Sequence, residues 1–387
     1  MSLLYSMSDN KLILCMIVRD ESQVVLRAIN SAKSVVDAIC VCDTGSSDDT
    51  CDKVNSVLAS FPGQLHEHVW SDFGTNRTMS FEQCVQCAAE LGYEPSRTWA
   101  LLLDADMVLC VSNAFDKGAL REAGYLVRQE HGSSLGYRNV RLARLDQPWT
   151  CVGVTHEYWH NGACGGVERH NLDTLHIDDR GDGGCKADKF RRDLRLLSAG
   201  LAREPGNTRY LFYLAQTYRD LGVKTKAVEL YMSHSRSDAW DEERWYSMMQ
   251  VGLLVDSLDD KRKWLLNAFE FRPKRAEPLY HLADHCRLAG LNHQALMFAE
   301  RALAIPRPED DLLFVATDVY EYRCLYVVSI CAYYTPFAAK GKAACERLLA
   351  MTGLPDDIVD ITRKNAAFYP RPSGADAAEQ TEAFVMV

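Results

Sequence analysis

The pattern of apolar residues changes near residue 186, and this change limits the possible folds most strongly. Between residues 11 and 178, short apolar runs alternate with segments of helical period, whereas only the helical period continues after Lys186. The chain of 387 residues is also longer than the usual single domain of roughly 100–200 residues. We therefore expect an α/β domain over residues 1–185, an all-α domain over 186–369 and a loose tail over 370–387.

Apolar runs in the first part predict β-strands separated by helices. The helical segments cover residues 23–36, 50–58 and 80–91. Alternation of strands and helices predicts a mainly parallel sheet with helices on both faces, and ligands of such sheets bind beyond the carboxyl ends of the strands. The predicted strands are residues 12–18, 38–42, 65–70, 99–103, 139–145, 151–154 and 172–177.

The second part contains an internal repeat. Segments that begin at Leu214 and Leu282 align at an offset of 68 residues, which places Gly222 against Gly290, and a segment that begins at Met248 fits halfway between them. A period of 34 with small residues at fixed places resembles the tetratricopeptide repeat. The alternative is a helical bundle with coincidental phasing. The repeat predicts units that begin near Thr208, Glu242 and Ala276, followed by a capping helix pair at 311–334 and 337–349.

Charge and cysteine usage narrow the class of protein. The net charge of −10 disfavours a nucleic-acid binder, which normally carries a basic excess. The apolar run at residues 12–18 is too short to span a membrane, and the charged residues 19–21 that follow it are unlike a signal peptide. The 14 cysteines show no repeated spacing. We therefore expect a reduced, cytoplasmic protein without a membrane span.

Acidic residues follow two of the predicted strands. "VCDTGSSDDT" (41–50) places Asp43 at a strand end before a tight turn, and "WALLLDADMVL" (99–109) places Asp104 and Asp106 after an apolar strand. Residues i and i+2 of a strand share a face, so the two carboxylates are expected to converge. Such a pair suits Mg²⁺ or Mn²⁺. The alternative is a strand end with solvated aspartates.

A basic residue lies at a predicted helix start between these motifs. In "SDFGTNRTMSFEQC" (71–84), Arg77 falls in or just before the first helical turn. A cation there opposes the helix dipole, which predicts either bulk solvent or an anion held jointly with the helix N-terminus. A diphosphate would fit this position, and a surface arginine is the alternative.

Four ordered motifs together resemble the family 2 glycosyltransferases of GT-A fold. They are "ILCMIVRDES", "ICVCDTGSSDDT", "DFGTNRTMSFEQC" and "LLLDADM". The chain is similar in particular to the branch with C-terminal tetratricopeptide repeats, which includes peptide S-glycosyltransferases, through His156-Glu157, His176 and the pair Lys189 and Arg192. The chain departs from the family in three ways. It has "DTG" where the family has "DDG", and Thr78 stands where asparagine is usual. It also lacks a clear Glu-Asp motif after the aspartate pair.

The resemblance implies a Rossmann-like mixed sheet and a metal-dependent, inverting transfer of a hexose. The donor would be a nucleotide-sugar such as UDP-glucose, the cofactor Mn²⁺ or Mg²⁺, and the acceptor a polypeptide or a glycan. Glu157 would be the general base, with Asp178 and Asp179 as rivals. The resemblance also implies which residues bind the donor. Val18 and Arg19 would line the uridine site, Asp43 would bind the nucleobase or ribose, and Asp104 would bind ribose or the metal ion. Phosphate would be bound by Arg77, Lys186 and Lys189, and the metal ion by Asp106 and His176.

Two rival functions also follow from the sequence. "HEYWH" (156–160) has the spacing of a zinc metallopeptidase, but that site requires a helix, and Gly153 and Asn161-Gly162 disfavour one here. We expect His156 and Glu157 to end a strand at the rim of the site and His160 to lie in a loop. The other rival is a catalytically inactive scaffold, in which the repeats bind a polypeptide or form a homodimer.

The segment that joins the two parts allows two interpretations. "HIDDRGDGGCKADKFRRDLR" (176–195) combines a glycine-rich loop with a basic helix start. Such a loop would exclude water if it closed over a diphosphate. A linker followed by a solvated helix face is the alternative.

Overall fold

The chain folds into two compact units. A computed structural model describes residues 10–131, 135–163, 168–184 and 189–369. The division between the units falls after Pro205, later than the expected boundary after residue 185. The physical reason is that the helix Lys189–Arg203 packs within the first unit, where Asp193 accepts a hydrogen bond from Thr155 at 3.3 Å. The expected tail, 370–387, lies outside the described residues.

The first unit is built on a mixed sheet. Its strands in the described residues are β1 Lys11–Val18, β2 Ala38–Asp43, β3 Gly63–Glu67, β4 Thr98–Leu102, β5 Met107–Val111, β6 Gly124–His131, β7 Leu135–Arg144 and β10 Arg169–Asp179. Their order is β3-β2-β1-β4-β7-β6-β10-β5, and β8 Trp149–Val152 pairs separately with β9 Tyr158–Asn161. Strands β3, β2, β1 and β4 run parallel, whereas β7 is antiparallel to β4 and β5 to β10. The seven predicted strands are all present; β5, β6 and β9 were not predicted.

Strand β1 holds the two layers of the first unit together. The helices are α1 Val25–Ala32, α2 Thr50–Leu58, α3 Phe73–Glu90 and α4 Lys189–Arg203. Leu12 and Leu14 of β1 pack in one core with Ile29 of α1, while Ile13 packs in another with Phe81 of α3. Alternate residues of a strand face opposite sides, so a strand buried on both faces reads as a continuous apolar run.

Helix α3 begins seven residues earlier than predicted, at Phe73 instead of residue 80. The Asp72 side chain caps it by accepting a hydrogen bond from the Thr75 amide at 2.8 Å. An N-cap aspartate satisfies one of the amides that a helix start leaves without a partner. The early start matters for the site, because it moves Arg77 into the second turn of the helix.

The second unit consists of tetratricopeptide-like helical repeats. Helix pairs begin at Thr208, Asp241 and Glu277, close to the expected starts. The matched residues Gly222 and Gly290 both have positive φ, 76° and 71°, directly after α5 and α9, as a helix-ending glycine requires. The described helices are α5 Thr208–Asp220, α6 Lys224–Ser235, α7 Asp241–Leu254, α8 Leu258–Phe271, α9 Glu277–Leu288, α10 Asn292–Leu303, α11 Cys324–Cys331, α12 Ala338–Leu349 and α13 Asp356–Ala366.

The predicted capping pair is present in shorter form. Helix α11 is preceded by a π-helical turn that starts only at Val319, and α12 is followed by α13, which the sequence did not predict. Helix formation is delayed because the segment around Asp311 has no regular secondary structure and is held by other contacts. Within the described part of the chain, no helix combines the length and the apolar character of a membrane-crossing segment.

Those contacts centre on Arg275, whose side chain is completely buried. Its guanidinium donates to Glu277 at 2.8 Å and to Asp311 at 3.4 Å, and it lies 3.8 Å from the centre of the Trp245 ring. It also donates to the backbone carbonyl of Leu313 at 3.1 Å. A buried ion pair is tolerated only when its remaining polar atoms are satisfied in this way.

We predict that Arg275→Leu lowers the free energy of unfolding by roughly 3–5 kcal/mol, because it leaves the buried carboxylate of Glu277 without its cation. Urea denaturation followed by circular dichroism measures the change. The matched control is Arg363→Leu, whose side chain is 67% exposed and pairs with Asp360 at 3.1 Å. Such a surface pair contributes at most ~1 kcal/mol. Equal losses in both variants would contradict the importance of the buried cluster.

Candidate functional site

A cleft of about 970 Å³ opens at the carboxyl ends of β1, β2 and β4. Arg19 follows β1, Thr44 follows β2, and Asp106 lies beyond β4. The opposite wall carries Lys189 and Arg195 of α4. The cleft is therefore where the parallel strands were expected to place a ligand. Trp70 and Phe73 add aromatic walls that the sequence analysis did not identify.

Asp104 and Asp106 both line the cleft, but they do not share a strand face as predicted. Strand β4 ends at Leu102, and the two aspartates lie in a turn, where the Met107 amide donates to the Asp104 carbonyl at 3.1 Å. The turn is needed because β5 leaves β4 and pairs with β10 at the far end of the sheet. The strand geometry used in the prediction was wrong, although the carboxylates reach the same cleft.

Arg77 lines the cleft with its charge already paired. Its Nη1 lies 2.6 Å from Oδ1 of Asp104, and its Nε donates to Oε1 of Glu157 at 2.7 Å. Burial alone would lower the pKa of Arg77, but the two carboxylates outweigh it and raise that pKa. Burial alone would raise the pKa of Asp104, and Arg77 and Arg141 together hold it below the usual range. The anion expected beside Arg77 is thus supplied by the protein itself.

The ion pair extends into a buried polar chain. The second oxygen of Asp104 lies 3.6 Å from Nη1 of Arg141, and Nη2 of Arg141 donates to Gln129 at 2.6 Å. Gln129 in turn donates to Oδ2 of Asp179 at 2.9 Å. Arg141 and Gln129 were missed by the sequence analysis, because neither belongs to a motif and β6 was not predicted. The two candidate bases, Glu157 and Asp179, therefore lie at opposite ends of one network.

A second cavity of about 320 Å³ lies beside the cleft. Four residues, Arg77, Asp104, Met107 and Asp179, line both spaces. Glu157 lines only the second cavity, whereas Asp106 lines only the cleft. The polar network therefore forms the wall between two adjoining cavities of different size.

The glycine-rich loop after β10 closes one end of the cleft. The Gly184 amide donates to Oε2 of Glu21 at 3.0 Å, and Asp182 accepts two hydrogen bonds from Arg27, at 2.8 and 2.5 Å. A Cβ atom at Gly184 would lie 2.1 Å from the backbone oxygen of Asp20, so only glycine fits. Lys186, predicted to face phosphate, lies outside the described residues.

Two other predicted residues do not line the cleft. Asp43 is buried and accepts hydrogen bonds from the amides of Gly45 and Ser46, both at 2.9 Å, so its carboxylate closes the turn after β2. His176 is exposed on β10, three residues before Asp179, and lines neither cavity. The fold does not bring it to Asp106. Among the described residues, no group of three or more His, Cys, Asp or Glu could hold a metal ion.

The residues of "HEYWH" do not form a helix. His156 has a positive φ of 52° in a bend, and residues from Tyr158 to Asn161 form β9. The two histidines therefore cannot share a helix face, and the geometry of a zinc peptidase is not present. Glu157 lines the second cavity, but it precedes β9 instead of ending a strand, and His160 lies on β9 and not in a loop.

Comparisons with known proteins add little about the site. No family model and no curated protein matches the chain. Among solved structures, a crystal structure of MamA has a TM-score of 0.35 at 16% identity, covering 45% of this chain and 91% of that one. BtubC from P. vanneervenii has a TM-score of 0.36 at 16% identity, covering 47% and 80%. A thermophilic TPR protein of Thermus thermophilus has a TM-score of 0.32 at 15% identity, covering 46% and 91%.

We predict that Arg77→Gln raises the pKa of Asp104, because burial then acts with less opposing positive charge. NMR titration of protein labelled with ¹³C at the aspartate carboxyl carbon measures the shift relative to the ordinary value of 3.8. The matched control is Arg138→Gln. Arg138 also lines the second cavity, but it pairs with Asp173 and not with Asp104. An unchanged Asp104 titration in Arg77→Gln would show that the two side chains do not interact in solution.

Proposed function

We propose that the chain is a metal-dependent, inverting glycosyltransferase with a GT-A catalytic domain, which transfers a hexose from a UDP-sugar. One observation carries the proposal: Asp106 after β4 and the cations Lys189 and Arg195 of α4 face one cleft at the carboxyl ends of parallel strands. A cleft of about 970 Å³ lies at the upper end of the usual size of small-molecule sites. The ordered motifs of the sequence support the same reaction.

The diphosphate of the donor is proposed to lie between Asp106 and helix α4. Lys189 and Arg195 are both exposed, so they can turn toward phosphate oxygens without breaking a buried contact. Arg77 is less suited, because an incoming phosphate would have to displace two carboxylates from it. Val18 and Arg19 at the end of β1 remain our candidates for the nucleoside, beside the aromatic rings of the cleft.

A divalent cation fits this arrangement through few protein ligands. Mg²⁺ is commonly held by one or two carboxylates, substrate phosphates and water. Asp106 would supply the carboxylate because it lines the cleft, whereas His176 lines neither cavity. When bound, the ion would neutralise charge on the departing diphosphate.

Between the two candidate bases, Asp179 is better placed than Glu157. Asp179 lines both cavities, so its carboxylate lies where a donor and an acceptor would meet. Glu157 lines only the second cavity, and its carboxylate is already bound to the guanidinium of Arg77 at 2.7 Å. We therefore assign the role of general base to Asp179. Glu157 would instead hold Arg77 in position.

Binding of UDP should stabilise the protein by mass action, with a further gain when Mn²⁺ is added. We predict that Asp106→Asn removes the manganese-dependent part of the rise in Tm and retains most of the rise caused by UDP alone. Differential scanning fluorimetry measures both. The control is Asp52→Asn, an exposed aspartate on α2 that does not line the cleft. A protein that gains no stability from UDP with Mn²⁺ is not a transferase of this kind.

The two candidate bases can be separated by kinetics. We predict that Asp179→Asn lowers the rate of UDP release from UDP-hexoses about 10²–10⁴-fold, the usual contribution of a general base, while leaving the UDP-induced rise in Tm in place. Glu157→Gln keeps a neutral partner for Arg77 and should lower the rate less. A larger loss in Glu157→Gln than in Asp179→Asn would reverse the assignment.

A catalytically inactive scaffold is the second candidate. The observation in its favour is that Asp104, Arg77 and Glu157 are engaged with one another. A scaffold predicts no turnover of any nucleotide-sugar, so a screen of donor hydrolysis with the full chain separates the two functions. In either case we propose that the repeat unit binds a polypeptide or a second copy of the chain. Sedimentation of the full chain tests the second possibility.

A further inference from the structure

We propose that the second cavity is the acceptor site and that the acceptor is a saccharide, which attacks through a hydroxyl group. This inference rests on the proposed transferase function and goes beyond it by choosing one acceptor class. It depends on three observations: the wall that the cavity shares with the cleft, the side chains that line it, and the paired strands that form its floor.

The shared wall fixes the direction of attack. With the diphosphate beside Asp106 and Lys189 in the cleft, an inverting displacement requires the nucleophile to approach from the opposite side of the anomeric carbon. The second cavity adjoins the cleft across Asp104 and Asp179, and its lining includes neither Asp106 nor Lys189, so we place the acceptor there. In the step, the acceptor hydroxyl passes its proton to Asp179, its oxygen bonds to the anomeric carbon, and the carbon–oxygen bond to the diphosphate breaks. The diphosphate leaves with that electron pair.

The lining combines aromatic rings with planar polar groups. Tyr137 and Tyr158 line the cavity and are 45% and 43% exposed, and Trp159 lies beside them. Aromatic side chains of this kind offer an apolar face together with a polar edge. Arg138 and Asn139 line the same space. A sugar ring has apolar C–H faces and a rim of hydroxyl groups, so it can stack on the rings and bond to the planar groups at the same time.

The floor and the size of the cavity disfavour a polypeptide acceptor. Strands β6, β7 and β10 supply the floor, and each of them already has a hydrogen-bonded neighbour on both sides. An extended peptide therefore cannot add to any of these three strands, which is a common way for a sheet to bind one. Strands β8 and β9, which also line the cavity, are short and are paired only with each other. The volume of about 320 Å³ is at the lower end of ligand sites and fits a unit of monosaccharide size.

The test uses the full chain with Mn²⁺ and the UDP-hexose that it hydrolyses fastest. Methyl β-glucoside, cellobiose and maltose are the saccharide probes, and two short peptides, one with serine and one with cysteine, are the alternative acceptors. Mass spectrometry detects the glycosylated product, and UDP release without an acceptor measures donor use separately. We expect transfer to at least one saccharide and none to the peptides.

The variant Tyr158→Ala is expected to raise the KM for the saccharide roughly three- to tenfold, as loss of one aromatic contact does. Tyr158→Phe should keep the KM of the unchanged chain because it keeps the ring. The matched control is Val152→Ala, whose residue pairs with Tyr158 across the β8–β9 sheet but does not line the cavity.

Two results would overturn the inference while leaving the transferase function intact. One is glycosylation of a peptide but of no saccharide, which would identify a polypeptide acceptor. The other is saccharide transfer with the same KM in Tyr158→Ala as in the unchanged chain. A protein that neither binds UDP with Mn²⁺ nor releases UDP from any donor would instead refute the proposed function itself, and the acceptor assignment with it.

Discussion

The pairing of Arg77 with Asp104 and Glu157 is the interaction on which the site depends. It joins helix α3, the turn after β4 and the bend before β9, at distances of 2.6 and 2.7 Å. Removal of Arg77 would leave the largely buried carboxylate of Glu157 uncompensated, which is far more costly than loss of a surface pair. Because the pair also forms the wall between the two cavities, the same contacts set the shape of the site and its electrostatics.

The secondary structure was predictable wherever burial alone decides it. Strand β1 is apolar throughout because both of its faces are covered, and the matched Gly222 and Gly290 identified the helical repeats. Strand β6 was missed because its buried positions include Gln129, whose amide is satisfied by Arg141 and Asp179. Strand prediction from periodicity uses the spacing of apolar residues. It therefore cannot recognise a buried polar residue whose hydrogen-bond partners are distant in sequence.

The same limit applies to the site. The rule that ligands bind beyond the carboxyl ends of parallel strands located Asp104 and Asp106 in the cleft without any coordinates. It could not show that Arg77 would be engaged by Glu157, which lies 80 residues later in the chain, or that His176 would not line the cleft. A motif reports which chemical groups are present, whereas their charge state and orientation depend on contacts that only the folded chain supplies.

The buried and the exposed cations of the cleft differ in how readily they could bind a phosphate. Asp104 and Glu157 already give Arg77 the hydrogen bonds and the countercharge that a buried guanidinium requires, so a phosphate gains little by replacing them. Lys189 and Arg195 remain exposed, and a phosphate between them would replace solvent instead of protein partners. In the proposed transferase, the fixed internal cation would hold the wall between the cavities in place, while the exposed cations would bind and release the charged substrate. The part of the site that keeps its geometry would then be separate from the part that exchanges ligands.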